Sequence, residues 1–126
     1  MDLARVRREV EEAKKSFPLI ESHPTTDGRL YVLGALQTSP GRYYTLSIFF
    51  PDIYPNGMPL VSVRKPALHE SAPHRYSNGN ICYLHHRMWN PGRHNLTFVI
   101  WRAAKWLNKY EVWLQTWKWP GAEILH

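Results

Sequence analysis

Three prolines at four-residue intervals, Pro51, Pro55 and Pro59, constrain the fold of this chain more than any other feature of its sequence. Proline has no backbone N–H to donate, and its ring clashes with the preceding helical turn, so a helix cannot pass through residues 51–59. The middle of the chain must therefore consist of strands and loops, and the helices predicted below lie on either side of it.

The segments that flank these prolines are rich in aliphatic, β-branched and aromatic residues, which is typical of β-strands. Strands are predicted over residues 30–36, 42–50 and 60–63. Ser39-Pro40-Gly41 is a turn sequence between the first two, so an antiparallel hairpin is expected there. The stretch 22–28 (SHPTTDG) is predicted to be a loop.

Both ends of the chain have helical periodicity. Residues 2–17 place apolar side chains on one helical face, and Pro18 limits this helix. A second helix is predicted over residues 96–116 with Asn95 as its N-cap. It carries an aromatic stripe that is expected to lie in the core or in a buried partner surface: Trp106, Tyr110, Trp113 and Trp117. The order of elements predicts an α+β fold with an antiparallel sheet.

Composition limits the classes of function. A chain of 126 residues with 44% apolar and 21% charged residues fits one globular domain, here taken as 1–126. It has no apolar run long enough to cross a membrane and no signal-peptide pattern, so a cytoplasmic protein without membrane contact is expected. The net charge of +6 permits an acidic partner, but no motif indicates specific binding of nucleic acid.

Two motifs stand out around a long loop over residues 64–95. The first, FPDIYPNGMPLV, covers residues 50–61, and the second, GNICYL, covers residues 79–84 and contains Cys82, the single cysteine of the chain. Trp89-Asn90-Pro91 follows. One cysteine cannot form an internal disulfide, and a loop of this length in a compact domain is usually functional.

These motifs resemble those of the ubiquitin-conjugating enzyme family, which has a strand ending in F-P-x-x-Y-P-x-x-x-P-x-V and an active-site segment G-x-I-C-L. Residues 50–61 fit the first pattern without a gap, and residues 79–83 fit the second with Tyr83 in place of leucine. The family's W-x-P follows its cysteine by eight positions, whereas Trp89 follows Cys82 by seven.

The resemblance implies a UBC-like fold with an N-terminal helix, an antiparallel meander, a long active-site loop and a C-terminal helix. The family's extra C-terminal helices are expected to be missing, because the chain ends near its second long helix. Short, His-rich and Trp-rich versions resemble the bacterial conjugating enzymes of antiphage defence operons of the CBASS type.

The resemblance also implies a chemistry. Cys82 would be the nucleophile that carries an acyl group as a thioester, a task that suits the strongly nucleophilic thiolate. The family's His-Pro-Asn triplet corresponds here to Ala72, Pro73 and His74, so His74 is predicted to act as oxyanion donor or as general base. The residues predicted to line the cleft are Asn78, Asn80, Tyr83, His85, His86 and Trp89.

Other interpretations of these residues stay open at the sequence level. A lone cysteine is most often a small buried apolar residue, although the Gly-x-Ile-Cys context favours a nucleophile. His69, His74, Cys82, His85, His86 and His94 are potential zinc ligands, but C-x-x-H-H matches no common zinc finger, and no metal and no cofactor are expected.

The partners are implied by the resemblance alone. The conjugated carrier would be a ubiquitin-like protein or a cyclic-oligonucleotide synthase (a nucleotidyltransferase), and the acceptor would be a lysine of a target protein. The sequence contains no nucleotide-binding Gly-rich motif, so a separate activating enzyme is expected unless the acyl group arrives already activated. In the family the N-terminal helix helps to dock that enzyme. The alternative is a catalytically inert adaptor on the same fold.

Overall fold

The computed structural model describes residues 1–121, which form a four-stranded antiparallel sheet and two α-helices. The strands pair in the order β1-β2-β3-β4, each with its neighbour in sequence. A single 3₁₀ turn, His86–Met88, lies in the long loop before the second helix. The elements are α1 Leu3–Ser16, β1 Ile20–Pro24, β2 Leu30–Gln37, β3 Tyr43–Phe49, β4 Leu60–Lys65 and α2 Leu96–Thr116.

This architecture confirms the predicted α+β class and UBC-like element order. Asp2 Oδ1 caps α1 by accepting a hydrogen bond from the backbone N–H of Arg5 at 3.0 Å. Asn95 caps α2 in the same way, with its Oδ1 2.9 Å from the backbone nitrogen of Phe98. Within residues 1–121 no further α-helix follows α2, and none of the helices combines the length and apolar character needed to cross a bilayer.

The sequence prediction of a loop over residues 22–28 was wrong for Ser22–Pro24, which belong to β1. This strand lies at the edge of the sheet, and of its five residues only Ile20 is buried, so it lacks the apolar alternation that reveals a strand. Backbone pairing with β2 holds it, in a register that sets Ile20 opposite Gly34. A Cβ at Gly34 would lie 2.8 Å from Cγ2 of Ile20, so this close approach requires glycine.

One hydrophobic core joins α1, the sheet, the long loop and α2. Val6 of α1, Val32 of β2 and Leu107 of α2 are fully buried within it. The predicted aromatic stripe of α2 contributes Trp106, Tyr110 and Trp113, whose rings stack in succession. Trp117 lies outside this core: it ends the helix in the left-handed conformation and is 60% exposed, and a partner surface at this position stays a prediction.

Glu9 connects α1 to two distant parts of the chain. Its Oε1 accepts hydrogen bonds from the Tyr54 hydroxyl at 2.5 Å and from the backbone N–H of Leu96 at 2.7 Å. Its Oε2 accepts from Nε of Arg5 at 2.6 Å, and Arg5 also donates to the carbonyl of Pro91. One carboxylate thus ties α1 to the proline-rich turn and to the first turn of α2.

We predict that Glu9→Ala lowers the free energy of unfolding by about 3 kcal/mol, because two largely buried donors and one guanidinium lose their acceptor. Urea unfolding followed by tryptophan fluorescence measures this loss. Glu12→Ala is the matched control: its carboxylate is exposed, and its one ion pair within residues 1–121 is with Lys15 at 3.0 Å, so it should cost less than about 0.5 kcal/mol. Equal losses in the two variants would contradict the role assigned to Glu9.

Candidate active site

Two backbone hydrogen bonds fix the position of Cys82. The N–H of Ile81 donates to the carbonyl of Val61 in β4 at 3.0 Å, and the N–H of Cys82 donates to the carbonyl of His74 at 2.9 Å. Arg75 and Ile81 form an isolated antiparallel bridge. The cysteine therefore lies in a short hairpin that is attached to the first half of β4.

The turn of this hairpin explains the glycine of the Gly-x-Ile-Cys motif. Gly79 has φ of +90°, and its N–H donates to the carbonyl of Tyr76 at 2.9 Å. No atom lies within 4 Å of a Cβ built at Gly79, so the backbone conformation and not lack of space requires glycine. Oδ1 of Asn78 accepts from the backbone N–H of Asn80 at 3.0 Å and completes an Asx turn.

The thiol of Cys82 is buried, with no exposed surface. Its Sγ lies 3.5 Å from the hydroxyl of Tyr76 and 3.6 Å from the carbonyl oxygen of Leu84. Burial raises the pKa of the Cys82 thiol above its ordinary value, while the hydrogen bond with Tyr76 and the positive charge of Arg102 oppose that rise. The net effect favours a protonated thiol at neutral pH.

Tyr76 is the residue of this site that sequence reasoning missed. Its hydroxyl oxygen accepts a hydrogen bond from the Cys82 thiol at 3.5 Å, and its O–H donates to the carbonyl oxygen of Leu84 at 3.3 Å. When the thiol ionises, the phenol O–H can turn from Leu84 and donate a hydrogen bond to the thiolate, which a neighbouring carbonyl cannot do. Burial and this contact raise the pKa of Tyr76 far above its ordinary value, so the phenol remains protonated. Six positions separate the two residues in sequence, and only the hairpin brings them together.

His74 holds the cysteine segment through its backbone. Its carbonyl accepts hydrogen bonds from the N–H of Cys82 at 2.9 Å and from the indole N–H of Trp106 at 3.1 Å. The residue has φ of +58°, and its imidazole ring lies 4.7 Å from the ring of Trp119. The structure therefore assigns His74 a positioning contact, and the catalytic part predicted for its side chain stays a prediction.

A groove of about 350 Å³ opens beside Tyr76. Its walls come from the start of β4 and from the cysteine hairpin, with Met58 and Leu60 facing Asn78 and Asn80. Of the six residues predicted to line a cleft, four border this groove: Asn78, Asn80, Tyr83 and His86. Cys82 does not border the groove, and Tyr76 is the lining residue that contacts its Sγ.

The residues predicted to line the cleft are positioned by different interactions. Tyr83 is buried and its hydroxyl donates to the carbonyl of Pro59 at 2.6 Å. Trp89 donates its indole N–H to the carbonyl of Pro55 at 2.8 Å, and neither Trp89 nor His85 borders the groove. The rings of His85 and His86 stack with centroids 4.5 Å apart. Within residues 1–121, no three His, Cys, Asp or Glu side chains are grouped closely enough to hold a metal ion.

Comparison with known proteins places this chain in a family. The profile of the family described as "Type II CBASS E2 protein" matches residues 9–126. A comparison with curated protein sequences gives no match.

Solved structures share the fold at low sequence identity. The Vps23 UEV domain in a complex with ubiquitin is 18% identical, with a TM-score of 0.59 over 80% of this chain and 79% of that chain. The yeast Vps23 UEV domain in complex with a Vps27 PSDP peptide is 19% identical, with a TM-score of 0.62 over 84% and 81% of the two chains. A ubiquitin conjugating enzyme E2 from Plasmodium falciparum is 24% identical, with a TM-score of 0.60 over 83% and 96%.

We predict that Tyr76→Phe lowers the reactivity of Cys82 toward iodoacetamide at pH 8 and moves the pH profile of alkylation upward. The thiolate loses a hydrogen-bond donor worth about 1 kcal/mol, which corresponds to about a fivefold smaller ionised fraction. Intact-mass spectrometry over a pH series measures the reaction. Tyr43→Phe is the matched control, because it also removes a phenol hydroxyl but at an exposed position on β3. It should leave the pH profile of Cys82 alkylation unchanged. A profile for Tyr76→Phe that coincides with wild type would contradict the assigned contact.

Proposed function

The chain belongs to the family of type II CBASS E2 proteins, which supports a conjugating-enzyme-like function, and from this premise we propose that it carries a protein acyl group on Cys82. The observation that supports the proposal is the position of the single cysteine: a Gly-x-Ile-Cys hairpin on β4, with a phenol hydroxyl 3.5 Å from Sγ and a groove alongside.

The proposed reaction has two acyl transfers. In the first, the Cys82 thiolate attacks the activated C-terminal carbonyl of the carrier, a C–S bond forms and the activating group leaves. In the second, a lysine amine of the target attacks the thioester carbonyl, an amide C–N bond forms and the C–S bond breaks. The amine loses a proton to a base, and the thiolate of Cys82 is released.

The chain's own residues would assist both transfers. The Tyr76 hydroxyl would stabilise the thiolate before attack and after release by turning its O–H from the carbonyl of Leu84 to Sγ, which lies 3.5 Å away. The imidazole of His74 is proposed either to donate a hydrogen bond to the oxyanion or to take up the proton of the attacking amine. The groove beside Tyr76 would receive the last residues of the carrier.

The carrier is proposed to be a ubiquitin-like protein or a cyclic-oligonucleotide synthase of the nucleotidyltransferase type, loaded by a separate activating enzyme in the bacterial cytoplasm during antiviral defence. A protein partner agrees with the family match and with the Vps23 UEV domain, whose solved structure is a complex with ubiquitin. Exposed basic side chains of α1, Arg7 and Arg8, would be available to the activating enzyme.

A second candidate is an inert adaptor on the same fold. It is favoured by the complete burial of Cys82 and by the raised pKa of its thiol, which both oppose nucleophilic attack. In that case Cys82 would be a core residue, and removing its sulfur would alter stability but no covalent chemistry.

A covalent adduct on the sulfur of Cys82 distinguishes the acyl-carrying enzyme from the inert adaptor. We expect wild-type protein co-expressed with its genomic neighbours to yield a protein-sized adduct that disappears with dithiothreitol or neutral hydroxylamine, because both reagents cleave thioesters. Non-reducing gels and intact mass detect it. Cys82→Ala should give no adduct, and an adduct of equal abundance in Cys82→Ala would contradict the proposal.

Substitutions at His74 separate its two proposed roles. If the imidazole donates to the oxyanion, His74→Ala should slow discharge onto free lysine by about 10²-fold, whereas His74→Asn should restore most of the rate. If it acts as a base, both variants should be slow and the wild-type pH dependence should be lost. Single-turnover discharge of the loaded protein measures this, and wild-type rates in both variants would exclude a catalytic part for His74.

A further inference from the structure

Positive charge is concentrated in the half of the chain that holds the candidate site. Residues 66–121 contain seven Lys and Arg but only two Asp and Glu, so they supply 7 − 2 = +5 of the net charge of +6. Residues 1–65 contain nine basic and seven acidic residues and supply only 9 − 7 = +2, and Glu123 accounts for the difference. The charge bias therefore belongs to the active-site loop and α2.

Three of these cations lie along one face of α2. Arg102, Lys105 and Lys109 are separated by three and four residues, the spacing of neighbours on a helix surface. All three border one narrow cleft together with Tyr83 and Trp119. Within residues 1–121, no carboxylate lies within ion-pair distance of Arg102, Lys105 or Lys109. We call these three residues the cationic strip.

One end of the cationic strip contacts the segment that holds Cys82. Nε of Arg102 donates to the carbonyl oxygen of Tyr83, the residue after Cys82, at 2.9 Å. The charge of Arg102 is one of the influences that oppose the raised pKa of the Cys82 thiol. Lys105 lies over the ring of Trp101, with Nζ 5.5 Å from the ring centroid, which keeps its ammonium group on the exposed side of the helix.

Among residues 1–121, no acidic side chain neutralises the strip. The pKa of Lys109 is lowered, first by partial burial and then by the charges of Lys105 and Arg102. In the same cleft the indole N–H of Trp119 is buried and has no hydrogen-bond partner within residues 1–121. Three neighbouring cations on one face of a helix suit an anionic ligand, whereas the buried N–H of Trp119 is out of reach of a docking side chain.

We propose that the cationic strip binds acidic side chains in the C-terminal tail of the carrier while its terminus is joined to Cys82. This inference rests on the proposed function and names the chemistry of its substrate. Seven residues of helix span about 10 Å, which equals about three residues of extended chain. The strip therefore fits a tail with two or three Asp or Glu residues a few positions before its acyl end.

Synthetic peptide thioesters test the strip without an identified carrier. Three eight-residue peptides end in glycine as a neutral alkyl thioester and differ only at the third to fifth positions from that end, which hold three Glu, three Gln or three Lys. The Cys82 thiolate attacks the thioester carbonyl, a new C–S bond forms, and the alkyl thiolate leaves. Intact mass gives the rate of acylation of Cys82 for each peptide.

Wild-type protein should react with the Glu peptide about tenfold faster than with the Gln peptide in 20 mM NaCl, and the Lys peptide should be slowest. In 500 mM NaCl the preference should fall below about twofold, because salt screens exposed charges. Lys105→Glu/Lys109→Glu should reverse the order of the Glu and Lys peptides. Lys105→Glu alone changes an exposed position and should weaken the preference even if the double variant folds poorly.

Lys14→Glu/Lys15→Glu is the matched control, because it makes the same change in formal charge at the end of α1. This control variant should keep the wild-type preference for the Glu peptide over the Gln peptide. If it loses that preference as fully as Lys105→Glu/Lys109→Glu does, the effect comes from net charge, and the role proposed for the cationic strip is contradicted. If wild-type Cys82 is acylated at equal rates by all three peptides, the role proposed for the cationic strip is contradicted, while the proposed function is not.

Two further outcomes would also count against the strip. No acylation above that of Cys82→Ala, with any peptide, would overturn both the strip and the proposed function. Equal peptide rates, together with low-salt binding of a labelled single-stranded oligonucleotide that is lost in Lys105→Glu/Lys109→Glu, would assign the strip to nucleic acid instead.

Discussion

The attachment of the cysteine hairpin to the sheet is the constraint on which the candidate site depends. The N–H of Ile81 extends the hydrogen bonding of β4, and the carbonyl of His74 receives the N–H of Cys82. Trp106 reaches the same carbonyl from α2, so the helix and the sheet hold the hairpin from two sides. Glu9 then fixes the first turn of α2 relative to α1. Because the hairpin is held through its own backbone groups, the position of Sγ is determined by the fold and not by a flexible loop.

This arrangement protects the thiol and restrains its reactivity. Burial raises the pKa of Cys82 and keeps reagents away, while Tyr76 and Arg102 lower the free energy of the thiolate once it forms. A conjugating enzyme must hold its acyl group against hydrolysis and still release it to an amine, so a shielded sulfur is compatible with the proposed chemistry. The same balance explains why the inert adaptor is the natural competitor: without the opposing contacts, the site would be an ordinary core position.

The parts of the fold that follow local rules could be predicted from the sequence. Apolar periodicity and the Asn95 cap located both helices, and Ser39-Pro40-Gly41 located the first hairpin. Strand β1 was missed because an edge strand with one buried residue has no apolar pattern and depends on pairing with β2. Cys82 was marked by its motif, but Tyr76 and Arg102 were not, because a hairpin and a distant helix bring them to the cysteine segment. The sequence also could not show that His74 contributes its carbonyl to that segment.

Cys82 is proposed to be an acyl-carrying nucleophile. The intact mass of the Cys82→Ser variant tests this role most directly. Serine would trap the intermediate as an oxyester, which is more stable than a thioester. Co-expression with the genomic neighbours should then give a protein-sized adduct on the introduced hydroxyl that mild base releases and that Cys82→Ala lacks. Its mass would also identify the carrier. If all neighbours are present and neither Cys82→Ser nor wild type carries an adduct, the account is contradicted and the inert adaptor takes its place.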